Sequence, residues 1–271
     1  MLFRKTTISM ATVLLVAFQG PALGKECGKN AAGFPAWVEA FKIEAVGNGI
    51  SQRTVNEALN GVAYATKTIS LDRNQKSFKL SFEQFMAKRG GSGIISKGKG
   101  IKQQNAALFK KIEAKYGVPA GPLIAIWGME TGFGSFQGNQ DAFASLATLA
   151  YDCRRSGFFE EQLYAALKLL QSGQLSRSQM KGAGHGEIGQ MQFLPANYLQ
   201  FGVDGDGNGR VDMIASKADA LASTANYLRG YGWSPGAGYQ PGEPNFGAIQ
   251  GWNKAGVYQK AIAVIGKAID G

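Results

Sequence analysis

One run of sequence constrains the fold more than any other: Gly121-Pro-Leu-Ile-Ala-Ile-Trp-Gly-Met-Glu130-Thr-Gly-Phe-Gly134. Gly121-Pro122 marks a helix start, because the missing proline N–H would have no intrahelical partner in the first turn. No charge follows Pro122 until Glu130, and Gly132 and Gly134 end the helix. Leu123, Ile126, Trp127 and Glu130 share one face that is otherwise apolar. Burying that face takes a carboxyl group into the core with it. Lost hydration disfavours the Glu130 charge, and so does the negative end of the helix dipole. Both push its pKa up, toward what a general acid needs near neutral pH. A structural glutamate closing a buried helix fits the same pattern.

The rest of the chain reads as further helices. Trp37, Ala40, Phe41, Glu44 and Ala45 recur at helical spacing, and Ser51 is an N-cap for a second short helix. Phe78, Phe82 and Phe85 give an amphipathic pattern over Ser77–Lys88. Arg89-Gly-Gly-Ser-Gly93 and Lys97-Gly-Lys-Gly100 then read as a flexible basic connection. Helices resume from Gln103, with Leu108 and Ile112 leading to Gly117, and recur at Ala142–Tyr151, Phe158–Leu170, Ser216–Leu228 and Tyr258–Ile269. Strand patterning is nearly absent. With 38 glycines but only 8 prolines, the glycines read as turns and close backbone approaches, concentrated between Lys181 and Gly256. The expected fold is mainly α, with an N-terminal helical subdomain over residues 25–102 and a core over 103–271.

One histidine and two cysteines exclude a cysteine-rich zinc site and a multi-histidine metal centre. A histidine-dependent nucleophile would have only His185. There is no Walker loop or dinucleotide fingerprint, so the chemistry falls to carboxylates. Residues 1–24 combine Arg4 and Lys5, an apolar Met10–Phe18 and a small-x-small Ala22-Leu-Gly24, which is the pattern of a secretory signal. Cys27 follows Lys25-Glu26, so no lipoprotein anchor is expected, and no later stretch is apolar enough to span a bilayer. In an oxidising compartment Cys27 and Cys153 are expected to pair. Removing the signal takes away Arg4 and Lys5 and no acid, so 29 basic residues become 27 against 19 acidic, a net charge of +8. Export demotes nucleic acid as a partner and favours an anionic extracellular polymer.

The segment around Glu130 resembles the catalytic segment of lytic murein transglycosylases of the membrane-bound B type. The resemblance runs in order along nearly the whole mature chain. It takes in Phe34-Pro-Ala-Trp-Val-Glu-Ala-Phe-Lys42, Leu71-Asp-Arg-Asn-Gln75, Tyr116-Gly-Val-Pro119, Ala147-Thr-Leu-Ala-Tyr151 and Arg154-Arg155. It continues through Gly189-Gln-Met-Gln-Phe-Leu-Pro195, Ala225-Asn-Tyr-Leu228, Gly232-Trp233 and Trp252-Asn253. It implies a lysozyme-like α+β catalytic core in which Glu130 is the single acid/base. The substrate would be the glycan strand of peptidoglycan, cleaved between N-acetylmuramic acid and N-acetylglucosamine with closure of a 1,6-anhydro ring. An intramolecular hydroxyl acceptor explains why one carboxylate suffices, where ordinary glycosidases need two.

By the same resemblance Gln192, Tyr227, Trp252, Asn253, Tyr258 and Phe158 stand at substrate-groove positions. Trp252 replaces a tyrosine there and Phe158 a residue that can be tyrosine. The family's Gly-Ser-aromatic-Ala-Gly-Ala run reads Gly182-Ala-Gly-His-Gly-Glu187 here. Ala183 thus replaces a serine, and His185 and Glu187 are added, Glu187 as a candidate second carboxylate or as part of a solvated loop.

Asp204-Gly-Asp206-Gly-Asn208-Gly209-Arg210 has the spacing of an EF-hand loop, with ligands at Asp204, Asp206 and Asn208, glycine at the sixth position and a backbone carbonyl at Arg210. Ala215 stands at the twelfth position in place of the usual glutamate, and Asp219 is the candidate to complete a structural Ca2+ site. Ser216-Lys-Ala-Asp219 also reads as a capping box, which competes for that carboxylate. No organic cofactor is expected. The sequence thus points to an exported, periplasmic lytic transglycosylase. A hydrolytic muramidase on the same scaffold and a non-catalytic murein-binding scaffold are the alternatives.

Overall fold

The structure, a computed structural model, describes residues 25–74 and 80–271. The expected secretory signal over 1–24 lies outside them, as do Ser77 and Phe78. Among the described residues the chain forms thirteen α-helices and one two-residue antiparallel strand pair, so the expectation of a mainly α fold holds. The helices are α1 (Phe34–Gly47), α2 (Gln52–Leu59), α3 (Thr66–Arg73), α4 (Phe82–Arg89), α5 (Gly91–Gln104), α6 (Ala106–Tyr116) and α7 (Ala120–Thr131). There follow α8 (Ala142–Tyr151), α9 (Ser156–Gln171), α10 (Pro195–Phe201), α11 (Lys217–Gly230), α12 (Phe246–Trp252) and α13 (Gly256–Asp270).

The uncharged run forms α7, and every residue from Ala120 to Met129 is buried. A helix apolar all round needs neighbours on all sides; α5, α11 and α13 supply them. The helix starts one turn-position earlier than Gly121-Pro122 suggests, with Pro119 as N-cap, and Pro122 still falls in the first turn. Gly132 ends it in the left-handed conformation. On the other side of the molecule α8 and α9 form a pair that α1, α2, α3 and α10 cover. Ser51 caps α2 by accepting from the Thr54 N–H, and Asp141 caps α8 by accepting from Ala144 N.

The flexible connection expected around residues 89–100 is instead α5, a fourteen-residue helix. Glycine is a poor helix former, but here its lack of a side chain permits close packing. A Cβ on Gly98 would lie 2.6 Å from Ile269 Cδ1 and 2.9 Å from Ile124 Cγ2, so α5 can approach α7 and α13 only because that atom is missing. The expected subdomain boundary after residue 102 falls inside this helix.

Strands β1 (Gln140–Asp141) and β2 (Lys181–Gly182) pair Gln140 with Gly182. Single bridges from Ile188 to Gly182 and to Phe193 extend this pairing through the glycine-rich segment. Cys27 and Cys153 form a disulfide, Cα–Cα 5.0 Å, which ties the chain before α1 to the α8–α9 loop. Beside it the Gly28 N–H donates to the Tyr151 carbonyl at 2.9 Å. Among the described residues no helix is long and apolar enough to cross a membrane.

Candidate active site

Glu130 is the last side chain but one of α7 and comes up half-buried in the floor of a cleft of about 390 Å³. A tight reversal after the helix sets its position. Gly132, Phe133 and Gly134 all have positive φ, and the Thr131 hydroxyl donates to the Gln190 carbonyl at 2.7 Å while accepting from Gly134 N at 2.9 Å. The helix end is thereby locked to the 181–193 segment that forms the facing wall.

Two donors from the C-terminal part of the chain converge on one oxygen of the acid. The Tyr258 hydroxyl donates to Glu130 Oε1 at 2.6 Å, and the Trp252 indole N–H donates to the same atom at 3.2 Å. Tyr258 is buried beneath the acid, its ring edge-on to Phe85 at 5.9 Å. Arg89, at the end of α4, also lines the cleft, its guanidinium 5.8 Å from the Tyr258 ring centre. Burial pushes the Glu130 carboxyl up from the ordinary carboxylate range. The Tyr258 and Trp252 hydrogen bonds and the Arg89 charge pull it back, and the Glu187 charge adds to the rise. The Tyr258 hydroxyl is itself pushed well above its ordinary value by burial and by Glu130, so it remains a donor. The net direction is upward, and the carboxyl stands at the edge of an open groove.

Of the residues read as groove positions, Gln192, Tyr227, Trp252, Asn253 and Glu187 line this cleft together with Glu130 and Ala183. Gln192 has φ of 52°, and its side-chain amide donates to the Gln137 and Gly189 carbonyls at 3.0 and 2.7 Å. Tyr227 is buried, donates to the Gly251 carbonyl at 2.9 Å and stacks on Tyr231 with ring centres 4.4 Å apart. Its edge meets Trp252 at 5.0 Å, so the aromatic wall is a packed unit. The Asn253 side chain accepts from Ala255 N at 2.9 Å and fixes the entry to α13. Tyr258 lies behind the acid and does not line the groove. Phe158 lies apart from the cleft: it is 44% exposed at the start of α9 and packs edge-on against Phe159. The cleft also takes in Arg89, Phe193, Leu194 and Asn197. In the sequence Arg89 reads as the start of a basic linker because glycines follow it; Asn197 carries no sequence signal.

The altered 183–187 loop joins an ionic cluster. Arg154 and Arg155 both pair with the buried Asp72 of α3, and Arg73 pairs with Asp152 at 2.5 Å. His185 stands between this cluster and the cleft, with Nε2 3.7 Å from Asp72 Oδ1 and Nδ1 3.3 Å from Glu187 Oε1.

In the acidic loop, carboxylate oxygens of Asp204, Asp206 and Asp219 lie within 4.8 Å of one another. Asp219 is fully buried and accepts from the Gly205, Asp206 and Asp212 N–H groups at 2.8, 3.3 and 2.7 Å. Its carboxylate serves the loop, while Ser216 Oγ caps α11 by accepting from Asp219 N at 3.2 Å. Asn208 Oδ1 accepts from the Arg210 N–H at 2.9 Å. An oxygen-only set with three carboxylates drawn together fits a hard cation.

The transglycosylase SLT domain matches residues 33–242 of this chain. Membrane-bound lytic murein transglycosylase B of Escherichia coli (strain K12) is 34% identical over 138 residues, covering 48% of this chain and 38% of that protein. The match therefore spans well under half the length of that curated relative. Among solved structures, SltB3 from Pseudomonas aeruginosa in complex with NAG-anhNAM-pentapeptide superposes with a TM-score of 0.80 at 30% identity, over 88% of this chain and 80% of that one. The Escherichia coli lytic transglycosylase Slt35 in complex with calcium gives a TM-score of 0.77 at 23% identity, over 94% and 98%. That second likeness is one of fold alone, the mainly α architecture.

Proposed function

This chain belongs to the transglycosylase SLT-domain family, and from that premise we propose that it is an exported, periplasmic lytic transglycosylase of peptidoglycan with Glu130 as its single acid/base. The observation that carries the reading is the Glu130 carboxyl, brought to the cleft by an apolar helix and held through Oε1 by Tyr258 and Trp252. With both donors on Oε1, the proton of the neutral acid resides on Oε2, the oxygen available to substrate. Oε2 protonates the glycosidic oxygen as the bond to muramyl C1 breaks. The resulting carboxylate then takes the proton of the muramyl C6 hydroxyl, whose oxygen closes onto C1 as the 1,6-anhydro ring. General acid catalysis of this kind contributes about 10²–10⁴-fold. Gln192, Asn253, Tyr227 and Trp252 form the sugar-binding wall, with the two aromatic side chains as its apolar surface.

Asp204, Asp206, Asn208, Asp219 and the Arg210 carbonyl would hold a structural Ca2+, which when bound fixes the loop between α10 and α11. The net positive charge of the mature chain suits an anionic wall polymer. Mass spectrometry of purified peptidoglycan digested with the mature protein tests the reading. Anhydromuropeptides, lighter than reducing-end products by one water, are expected; their absence overturns it.

A further inference from the structure

Glu187 is a carboxylate in the same cleft as Glu130, and nothing in the single-acid mechanism uses it. It is held in place at both ends. Its backbone carbonyl accepts from Ala183 N at 3.1 Å, and the neighbouring Gly182–Ile188 bridge closes the turn. Gly186, at φ 85°, packs the turn so tightly on α8 that a Cβ there would lie 2.4 Å from Leu146 Cδ2. The side chain is fixed as well: Oε2 accepts from the His185 backbone N–H at 2.9 Å, and Oε1 faces His185 Nδ1. The far nitrogen of that ring is buried without a hydrogen-bond partner and faces the buried Asp72, itself anchored by Arg154 and Arg155. A line Asp72–His185–Glu187 therefore runs from the core to the cleft. Arg155 and Glu130 both feel the Glu187 charge. Next to it the Ala183 methyl lines the cleft and offers no polar atom of its own.

We propose that Glu187 is a second functional carboxylate of this cleft, which activates water so that the chain also cleaves glycan strands by hydrolysis. This rests on the transglycosylase reading for the substrate and for the role of Glu130. In the added step the C1–O bond to the leaving sugar breaks and its oxygen takes the Glu130 proton. Water adds its oxygen to muramyl C1 and gives a proton to Glu187, leaving a reducing end. Glycosidases divide the labour between two carboxylates in this way, and His185 acts as a positioning residue that aims the base.

The experiment scores reducing-end against anhydro muropeptides by mass, above a no-enzyme control, for the mature protein, Glu187→Gln and Glu187→Ala, each with its melting temperature. The wild type is expected to yield both product classes. The reducing-end to anhydro ratio is expected to fall at least tenfold in both variants, whatever their total rate. An unchanged ratio in either folded variant, or a wild type that yields anhydro products alone, overturns the proposal. Reducing-end products alone, lost in both variants, would overturn the transglycosylase reading and leave the role of Glu187 standing.

Discussion

Replacing Gly98 and Gly100 by alanine, one at a time, separates two opposite effects of glycine in α5. Both positions are helical, so each substitution gains about 1 kcal/mol of helix propensity. At Gly100 nothing lies within 4 Å of the added Cβ, and the gain stands alone. At Gly98 the methyl meets Ile269 Cδ1 at 2.6 Å and Ile124 Cγ2 at 2.9 Å, inside a packed three-helix contact. Overpacking of that kind costs about 1–3 kcal/mol. The propensity gain is common to both variants, so the difference between them isolates the packing cost. At about 2–4 °C per kcal/mol for a chain of this size, Gly100→Ala should melt about 2–12 °C above Gly98→Ala, and above the wild type. Thermal unfolding followed by circular dichroism, with the disulfide intact, measures it. Coincident melting curves for the two variants would refute the packed helix and restore a flexible connection.

Other expectations follow from single contacts. Reducing the Cys27–Cys153 bond, which closes a loop with a sequence separation of 126, should cost about 5 kcal/mol on the loop-entropy account; equal unfolding midpoints in denaturant with and without reductant would contradict this. Calcium at 100 times its Kd should stabilise the protein by about 2.7 kcal/mol. Asp219→Ala should lower the melting temperature and abolish that response, because three loop N–H groups lose their acceptor. The rise in the Glu130 pKa sets the sign of the pH dependence: the acid is protonated at low pH, and activity falls as pH rises through its raised value. Tyr258→Phe removes a hydrogen bond that lowers that value, so the alkaline limb of the pH–rate profile should move to higher pH. By the same sign, burial of Glu130 contributes stability that is lost as pH rises through its folded-state value. Glu130→Gln should therefore gain stability over the wild type toward alkaline pH, read from melting temperatures across pH.

The helix that carries Glu130 was legible because its signal is local: eight uncharged residues, one glutamate and two glycines within a single helix and its turn. The same holds for α8, bounded as read at Ala142 and Tyr151. Locality also explains the failure at α5, where the buried faces of Ile124 and Ile269 turn glycines from breakers into contacts, and those residues lie far along the chain. Trp252 and Tyr258 are 122 and 128 residues from Glu130. No periodicity joins them to it, and only the ordered resemblance pointed to their positions. The Trp252 indole N–H donates to Glu130, a contact that a reading of the residue as an aromatic surface misses. Phe158 shows the reverse limit: the resemblance gives it a groove position, and it packs on Phe159 outside the cleft lining. For Asp219 the pattern offered a cation ligand or a capping box, and the distant loop N–H groups of Gly205, Asp206 and Asp212 that its buried carboxylate accepts from carry no such signal.

The central claim is that catalysis depends on the Glu130 proton, and the rate of muropeptide release by Glu130→Gln tests it most directly. The amide keeps the size of the side chain and cannot donate the proton. A loss of about 10²–10⁴-fold is expected, with the variant folded and still retained on purified peptidoglycan. Release at the wild-type rate by a folded Glu130→Gln protein would contradict the account.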